Sequence, residues 1–218
     1  MGWCQGREQV GNMTRIAILI SGRGSNMQSL VAAARAGRVS AEVVLVLSNR
    51  DDAAGLQWAR AQGIPTAVLK HRDYPDREAY DHALVERLRA AQAEWVCLAG
   101  FMRLLGPTFC QAFPERVLNI HPSLLPAFPG LDAQAQALQY GVRVTGATVH
   151  FVTPELDAGP IVAQAAVQVL ETDTVEHLAA RVLAVEHELY PAALAAVLQD
   201  GWRIEGRRVV GLRGTPLV

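Results

Sequence analysis

Lysine is almost missing from this chain: Lys70 is the only one among 218 residues. Chemistry that needs a lysine, such as a Schiff base or a lysine-bearing phosphate loop, has little to work with. Cysteine is scarce too. Cys4, Cys97 and Cys110 are odd in number and lack metal-ligand spacing, so they read as free thiols in a reducing compartment. Charge of one sign is absent: a net charge of -1 argues against a dedicated nucleic-acid surface, which carries a basic excess. No apolar run is long enough to span a membrane. Met1 to Thr14 is polar, contains Gly2, Gly6 and Gly11, and has no apolar core, so it is not a signal peptide. These absences predict a cytoplasmic protein that uses no membrane, no nucleic acid and no metal, with residues 1–14 as a flexible extension.

What is present suits a filled core, since 50% of the residues are hydrophobic and only 19% charged. Strands are expected at Arg15 to Ser21, Ala41 to Ser48, Thr66 to Leu69, Trp95 to Ala99 and Val117 to Ile120. Helices are expected at Asn26 to Ala36, Gly55 to Gln62, Arg77 to Ala91 and Pro107 to Ala112. Beyond a proline-rich loop, Ala133 to Tyr140 reads as a helix closed by Gly141. Thr145 to Val152 and Ile161 to Val169 follow as strands. Asp173, with Glu176 three residues on, opens a helix that Pro191 should kink or break after Tyr190. Trp202 to Val210 has the pattern of a hairpin. The alternation predicts an α/β fold, a mostly parallel twisted sheet with helices on both faces. We expect one domain over residues 15–218, with a mononucleotide-binding half at 15–115 and a second half at 116–218.

The chemistry concentrates in three segments. Leu118-Asn119-Ile120-His121-Pro122 ends a strand with an amide and an imidazole two residues apart. Strand alternation turns both to one side, and Pro122 stops the ladder. That pair suits a carbonyl becoming a tetrahedral oxyanion, with Asn119 donating to the charge and His121 stabilising it or moving a proton. The segment Ser21-Gly22-Arg23-Gly24-Ser25-Asn26 links the first strand to the first helix. It fits neither the dinucleotide pattern, since Met27 takes the third glycine position, nor the Walker pattern. A single phosphate held by Gly24, Ser25 and Asn26 at the helix N-terminus is the better reading. The third segment, Thr153-Pro154-Glu155-Leu156-Asp157-Ala158-Gly159-Pro160, joins two expected strands. An aspartate in a turn is commonly a cap, but here Asp157 can reach His121 and orient its ring. His150 has two readings: it supports the group around His121, or, the commoner case for a strand histidine, it is structural. Glu186 puts a carboxylate on the apolar face of its helix, where it needs a partner: a substrate amine or a helix-end ion pair.

Together SGRGSN, NIHPSLLP and ELDAG closely resemble the phosphoribosylglycinamide formyltransferases, folate-dependent enzymes of purine synthesis. The similarity runs from Arg15 to about Val197 and includes Ala99-Gly100-Phe101-Met102-Arg103 and Glu186-His187. It implies a Rossmann-like formyltransferase fold whose 116–218 half binds folate. It implies transfer of a formyl group from 10-formyltetrahydrofolate, the co-substrate, to the amine of glycinamide ribonucleotide. Asn119, His121 and Asp157 match the catalytic trio. Gly24, Ser25 and Asn26 match the phosphate site, and Glu186 the position near the substrate amine. Arg77, Met102, Arg103, Leu104, Leu105, Asn119 and the stretch Thr153, Pro154, Glu155, Leu156 and Asp157 match folate contacts. The expected partners are small-molecule substrates, with the chain a monomer or homodimer. Ala127 and Asp132 depart from a basic residue and a histidine that some members carry.

Three other readings stay open. Methionyl-tRNA formyltransferase shares the loop, but it adds a nucleic-acid-binding domain for which this chain is too short and insufficiently basic. Formyltetrahydrofolate deformylase, a hydrolase, shares the trio and usually begins with a regulatory domain. A nucleotide-binding regulator would keep the fold and the phosphate affinity without turnover.

Overall fold

The computed structural model describes residues 13–214. Cys4 and residues 1–12 lie outside that range. The first strand, β1, runs Thr14–Ile20, so Thr14 belongs to the sheet and not to the expected extension. It is followed by α1 (Ser25–Arg35), β2 (Ala41–Ser48), α2 (Ala54–Ala61), β3 (Thr66–Val68), α3 (Arg77–Ala90), β4 (Trp95–Leu98), α4 (Pro107–Ala112) and β5 (Val117–His121). Then come α5 (Ala133–Tyr140), β6 (Val144–Phe151), β7 (Ile161–Gln168), α6 (Val175–Val197), β8 (Arg203–Glu205) and β9 (Arg208–Val210).

The described strands form one nine-stranded sheet in the order β3-β2-β1-β4-β5-β6-β7-β9-β8. From β3 to β5 all neighbours are parallel, β6 is antiparallel to both β5 and β7, and β7 pairs parallel with β9. The order reverses between β1 and β4, the kind of switch point beside which α/β sheets bind ligands. The apolar residues of β1 explain its place. Ile16, Ile18 and Ile20 face one layer, packed with Leu30 of α1 and Leu178 and Val182 of α6. Ala17 and Leu19 face the other, with Leu84 and Leu88 of α3 and Phe109 of α4. A strand apolar on both faces has to be central. Cys97 is unpaired within this core, where burial pushes its thiol up to about 12; Cys110 is unpaired on α4.

Two expectations about α6 change. Its N-cap is Thr174, whose hydroxyl accepts from His177 N, and not Asp173. Asp173 instead pairs with Arg181 and accepts from Leu170 N, and Arg181 holds its carboxyl down at about 2. Nor does Pro191 end the helix, which continues to Val197. An interior proline costs about 3 kcal/mol. Beyond it Ala193, Leu194, Ala196 and Val197 are all buried, and a buried leucine or valine alone returns roughly 1.5–3 kcal/mol. Tyr190 adds an anchor, its hydroxyl bridging the Leu98 and Leu118 carbonyls at 3.1 and 3.0 Å. Packing decides over local propensity here.

Candidate active site

The end of β5 carries the amide and imidazole on one face, as alternation requires. The loop after His121 meets that face through the Phe128 and Ser123 carbonyls, and the β6–β7 turn meets it through Asp157. That turn does not start at the carboxyl end of β5. Because β6 is antiparallel, the turn starts beside Val117, where Val152 N donates to the Val117 carbonyl. It then folds back across the sheet face and delivers Asp157, held at φ 47, to His121. Gly159 permits this path: a Cβ there would lie 1.7 Å from the Phe151 carbonyl oxygen.

His121 Nδ1 lies 3.4 Å from Asp157 Oδ2, with both side chains almost fully buried. The other ring nitrogen, Nε2, is 2.8 Å from the Phe128 carbonyl. Asp157 Oδ2 also accepts from Gly130 N at 2.8 Å. A second histidine joins the group. His150 sits opposite Asn119 in the β5–β6 register, at an irregularity in the β6–β7 pairing. Its Nδ1 is 2.9 Å from the Phe151 carbonyl, its Nε2 is 3.2 Å from Asn119 Nδ2, and its Nε2 is 3.7 Å from Asp157 Oδ1. A carbonyl at Nδ1 assigns the hydrogen to that nitrogen, so Nε2 accepts from Asn119. Burial pushes His150 below its ordinary value, which favours this neutral ring. Asn119 spends one amide hydrogen on His150 and keeps one for a ligand. His150 is therefore part of the site, not only a strand residue. Its signal was in the sequence: Gly146, Thr148 and His150 alternate with Ala147, Val149 and Phe151.

A polar network fixes the loop that carries Phe128 and Gly130. The Thr148 hydroxyl donates to the Ser123 carbonyl at 2.7 Å and accepts from Leu125 N and Gln164 Nε2, each at 3.0 Å. Ser123 Oγ donates to the Ala127 carbonyl at 2.5 Å.

A cleft of about 90 Å³ opens beside this group. Arg103, Leu104, Leu105, Asn119, Thr153, Pro154, Glu155, Leu156 and Asp157 line it, together with Leu98, Phe101, His150 and Val152. His121 is not on the cleft wall. Arg77 is exposed at the start of α3 with its guanidinium beside Gly106, and the Met102 side chain is 61% exposed; neither lines the cleft.

The loop after β1 lies at the switch point. Gly24, at φ 71, precedes α1, which no side chain caps, so amides of its first turn remain available to an anion. The loop packs on Gly55, where a Cβ would lie 3.2 Å from the Gly22 carbonyl oxygen, a contact without any signal in the local pattern of residues. Ser21 Oγ ties the loop to the cleft, accepting from Met102 N at 2.8 Å and donating to Asn49 Oδ1 at 2.6 Å. Glu186 reaches the same loop, accepting from Asn26 Nδ2 at 2.6 Å. Among the described residues it makes no ion pair, contrary to one of the two expectations for it. Burial raises its carboxyl above the usual range, and the Asn26 hydrogen bond opposes that rise.

The family model described as Formyl transferase matches residues 14–194. Glycinamide ribonucleotide transformylase 1 from Symbiobacterium toebii superposes with a TM-score of 0.92 at 52% identity, covering 96% of this chain and 100% of that one. Phosphoribosylglycinamide formyltransferase of Escherichia coli (strain K12) is 43% identical over 88% of this chain and 88% of its own length. The Homo sapiens trifunctional purine biosynthetic protein adenosine-3 is 49% identical over 84% of this chain. The chain spans only 14% to 19% of the length of such trifunctional relatives. With the family model covering most of its length, the chain belongs to the formyl transferase family.

Proposed function

We propose that this chain transfers the formyl group of 10-formyltetrahydrofolate to the amine of glycinamide ribonucleotide in de novo purine biosynthesis. The products are formylglycinamide ribonucleotide and tetrahydrofolate. The carrying observation is the convergence of Asn119, His150 and Asp157 at one cleft, with His121 held behind Asp157. In this reading the ribonucleotide phosphate sits on the first-turn amides of α1, at Gly24, Ser25 and Asn26, with Glu186 binding a donor group of the same molecule. The folate lies along Arg103 to Leu105 and Thr153 to Asp157, with Arg77 and Met102 at its outer end.

The amine nitrogen attacks the formyl carbon, and the C=O electrons move onto oxygen. The free Asn119 amide hydrogen donates to that oxyanion, with its direction fixed by the His150 acceptor. His121, oriented by Asp157 and the Phe128 carbonyl, supplies positive charge and passes a proton towards the departing folate nitrogen. Asp157 stands between His121 and the cleft, so the proton travels past its carboxylate or after a shift of the β6–β7 turn. Collapse of the intermediate breaks the bond between formyl carbon and folate nitrogen, and the attacking nitrogen gives its extra proton back to the His121 ring that has just been left neutral. No step requires a metal. We place the reaction in the cytoplasm, in a monomer or homodimer whose partners are small molecules.

The test is tetrahydrofolate appearance from 10-formyltetrahydrofolate with and without glycinamide ribonucleotide. Turnover only with the ribonucleotide is expected. Release of formate without it overturns the reading in favour of hydrolysis, and binding without turnover in favour of a regulator.

A further inference from the structure

Asn26 lies in the first turn of α1, and Glu186 lies mid-way along α6. They are far apart in sequence, yet Asn26 Nδ2 sits 2.6 Å from Glu186 Oε2, and the two residues are 9% and 6% exposed. The neighbours of Glu186 on α6, Val182 and Leu189, are fully buried apolar residues, so an ordinary packing position would hold an aliphatic side chain. A buried carboxylate without a cationic partner is expensive. The amide beside it has its own deficit, because Asn26 Oδ1 is buried and has no hydrogen-bond partner among the described residues. Native structures rarely leave such an acceptor unpaired without a reason, and a ligand is one such reason. Asn26 also belongs to the loop at the switch point, so the orphaned oxygen and the carboxylate lie together at the ribonucleotide end of the site.

We propose that Asn26 is a positioning residue: its amide N–H fixes one oxygen of Glu186, so that the other oxygen and Asn26 Oδ1 together accept hydrogens from one donor group of the ribonucleotide. This rests on the reading of Glu186 as a ribonucleotide contact. The side-chain role is separate from the backbone role of Asn26 towards phosphate, because its N–H acts through Glu186 and its Oδ1 faces the donor group. The amide orientation follows from the partner, since a carboxylate oxygen requires the NH2 end. Losing the amide has two effects. Glu186 loses its fixed direction, and its carboxyl keeps its proton to higher pH, because the hydrogen bond that favoured the charged form is gone.

The experiment is a double-mutant cycle on ribonucleotide KM, using Asn26→Ala, Glu186→Ala and the double variant, with thermal midpoints and a pH profile for each. Asn26→Ala is expected to raise ribonucleotide KM about tenfold, the usual scale for a hydrogen bond to a charged group. In the Glu186→Ala background the same change should cost clearly less, about threefold, because the positioning part of its effect is gone and only the Oδ1 contact remains. Folate KM should not move, and the KM of Asn26→Ala should improve as pH rises while the unsubstituted enzyme stays flatter. Asn26→Ser and Glu186→Gln, which keep polar side chains, serve the same cycle if the alanine variants fold poorly. An equal rise in KM in both backgrounds overturns the proposal, as does a lower thermal midpoint with KM unchanged. An unchanged ribonucleotide KM in Glu186→Ala overturns it too, and identifies the failure as that of the Glu186 contact itself.

Discussion

His121 Nδ1 and Asp157 Oδ2 meet at 3.4 Å, and one proline-rich loop holds both residues from the far side. Its Phe128 carbonyl faces His121 Nε2, and its Gly130 amide donates to Asp157. Both ring nitrogens thus face acceptors. An imidazolium satisfies the two contacts, whereas a neutral ring satisfies one.

The first prediction concerns that contact. Asp157→Asn keeps the shape and the Gly130 bond but replaces a charged acceptor with a neutral one. Turnover should fall on the order of 100-fold or more, the scale of a lost acid–base contribution. Folate KM should change little. Steady-state kinetics at saturating ribonucleotide decide it, and an unchanged kcat rules out this role for Asp157.

Asn119→Ala removes the amide hydrogen left free by His150. A loss of about 100- to 1000-fold in kcat is expected, as for a single oxyanion donor. If the change appears in KM alone, Asn119 binds the ground state and does not act on the oxyanion.

His150 links the site to pH. Burial lowers its pKa below 6.5, so the unfolded chain takes up this proton at higher pH than the folded one. Its contribution to stability is full above 6.5 and declines as pH falls towards the folded value. Glu186 works in the opposite sense: its raised carboxyl makes stability decline as pH rises above 4.5. Comparing the unsubstituted chain with His150→Gln isolates the first effect. Urea midpoints measured between about pH 7.5 and pH 5.5 should drop more steeply with a histidine at the position. Parallel slopes would mean His150 is not kept neutral by the fold.

Thr148→Val tests the network beneath the loop. The hydroxyl is fully buried and serves three partners. Leaving them unpaired should cost about 1–3 kcal/mol, which for a chain of this size lowers Tm by roughly 2–10 °C. Turnover should fall as well, because the same loop carries Phe128 and Gly130. A Tm equal to that of the parent argues that water replaces the hydroxyl.

Much of the fold was legible in the sequence. The runs Ile16–Ile20 and Val43–Leu47 are apolar without alternation, as strands buried on both faces must be, and Gly37 and Gly141 mark helix ends by their positive φ. The Asn119–His121 pair was visible because strand alternation is local. What was not legible depended on partners distant in the chain. His150 looked structural until β6 paired with β5 in the register that sets it against Asn119. Pro191 looked like a break because its cost is local, whereas the compensating burial lies in the sheet.

The sequence by itself determined which residues could do chemistry and where strands and helices would form, because propensity, alternation and turn chemistry act over a few residues. Only the tertiary structure decided which of those residues meet. It turned the β6–β7 segment back across the sheet to carry Asp157 to His121, and it brought Glu186 of α6 against Asn26 of α1. Those contacts follow from strand register and helix packing, which the chain fixes only when the whole sheet closes.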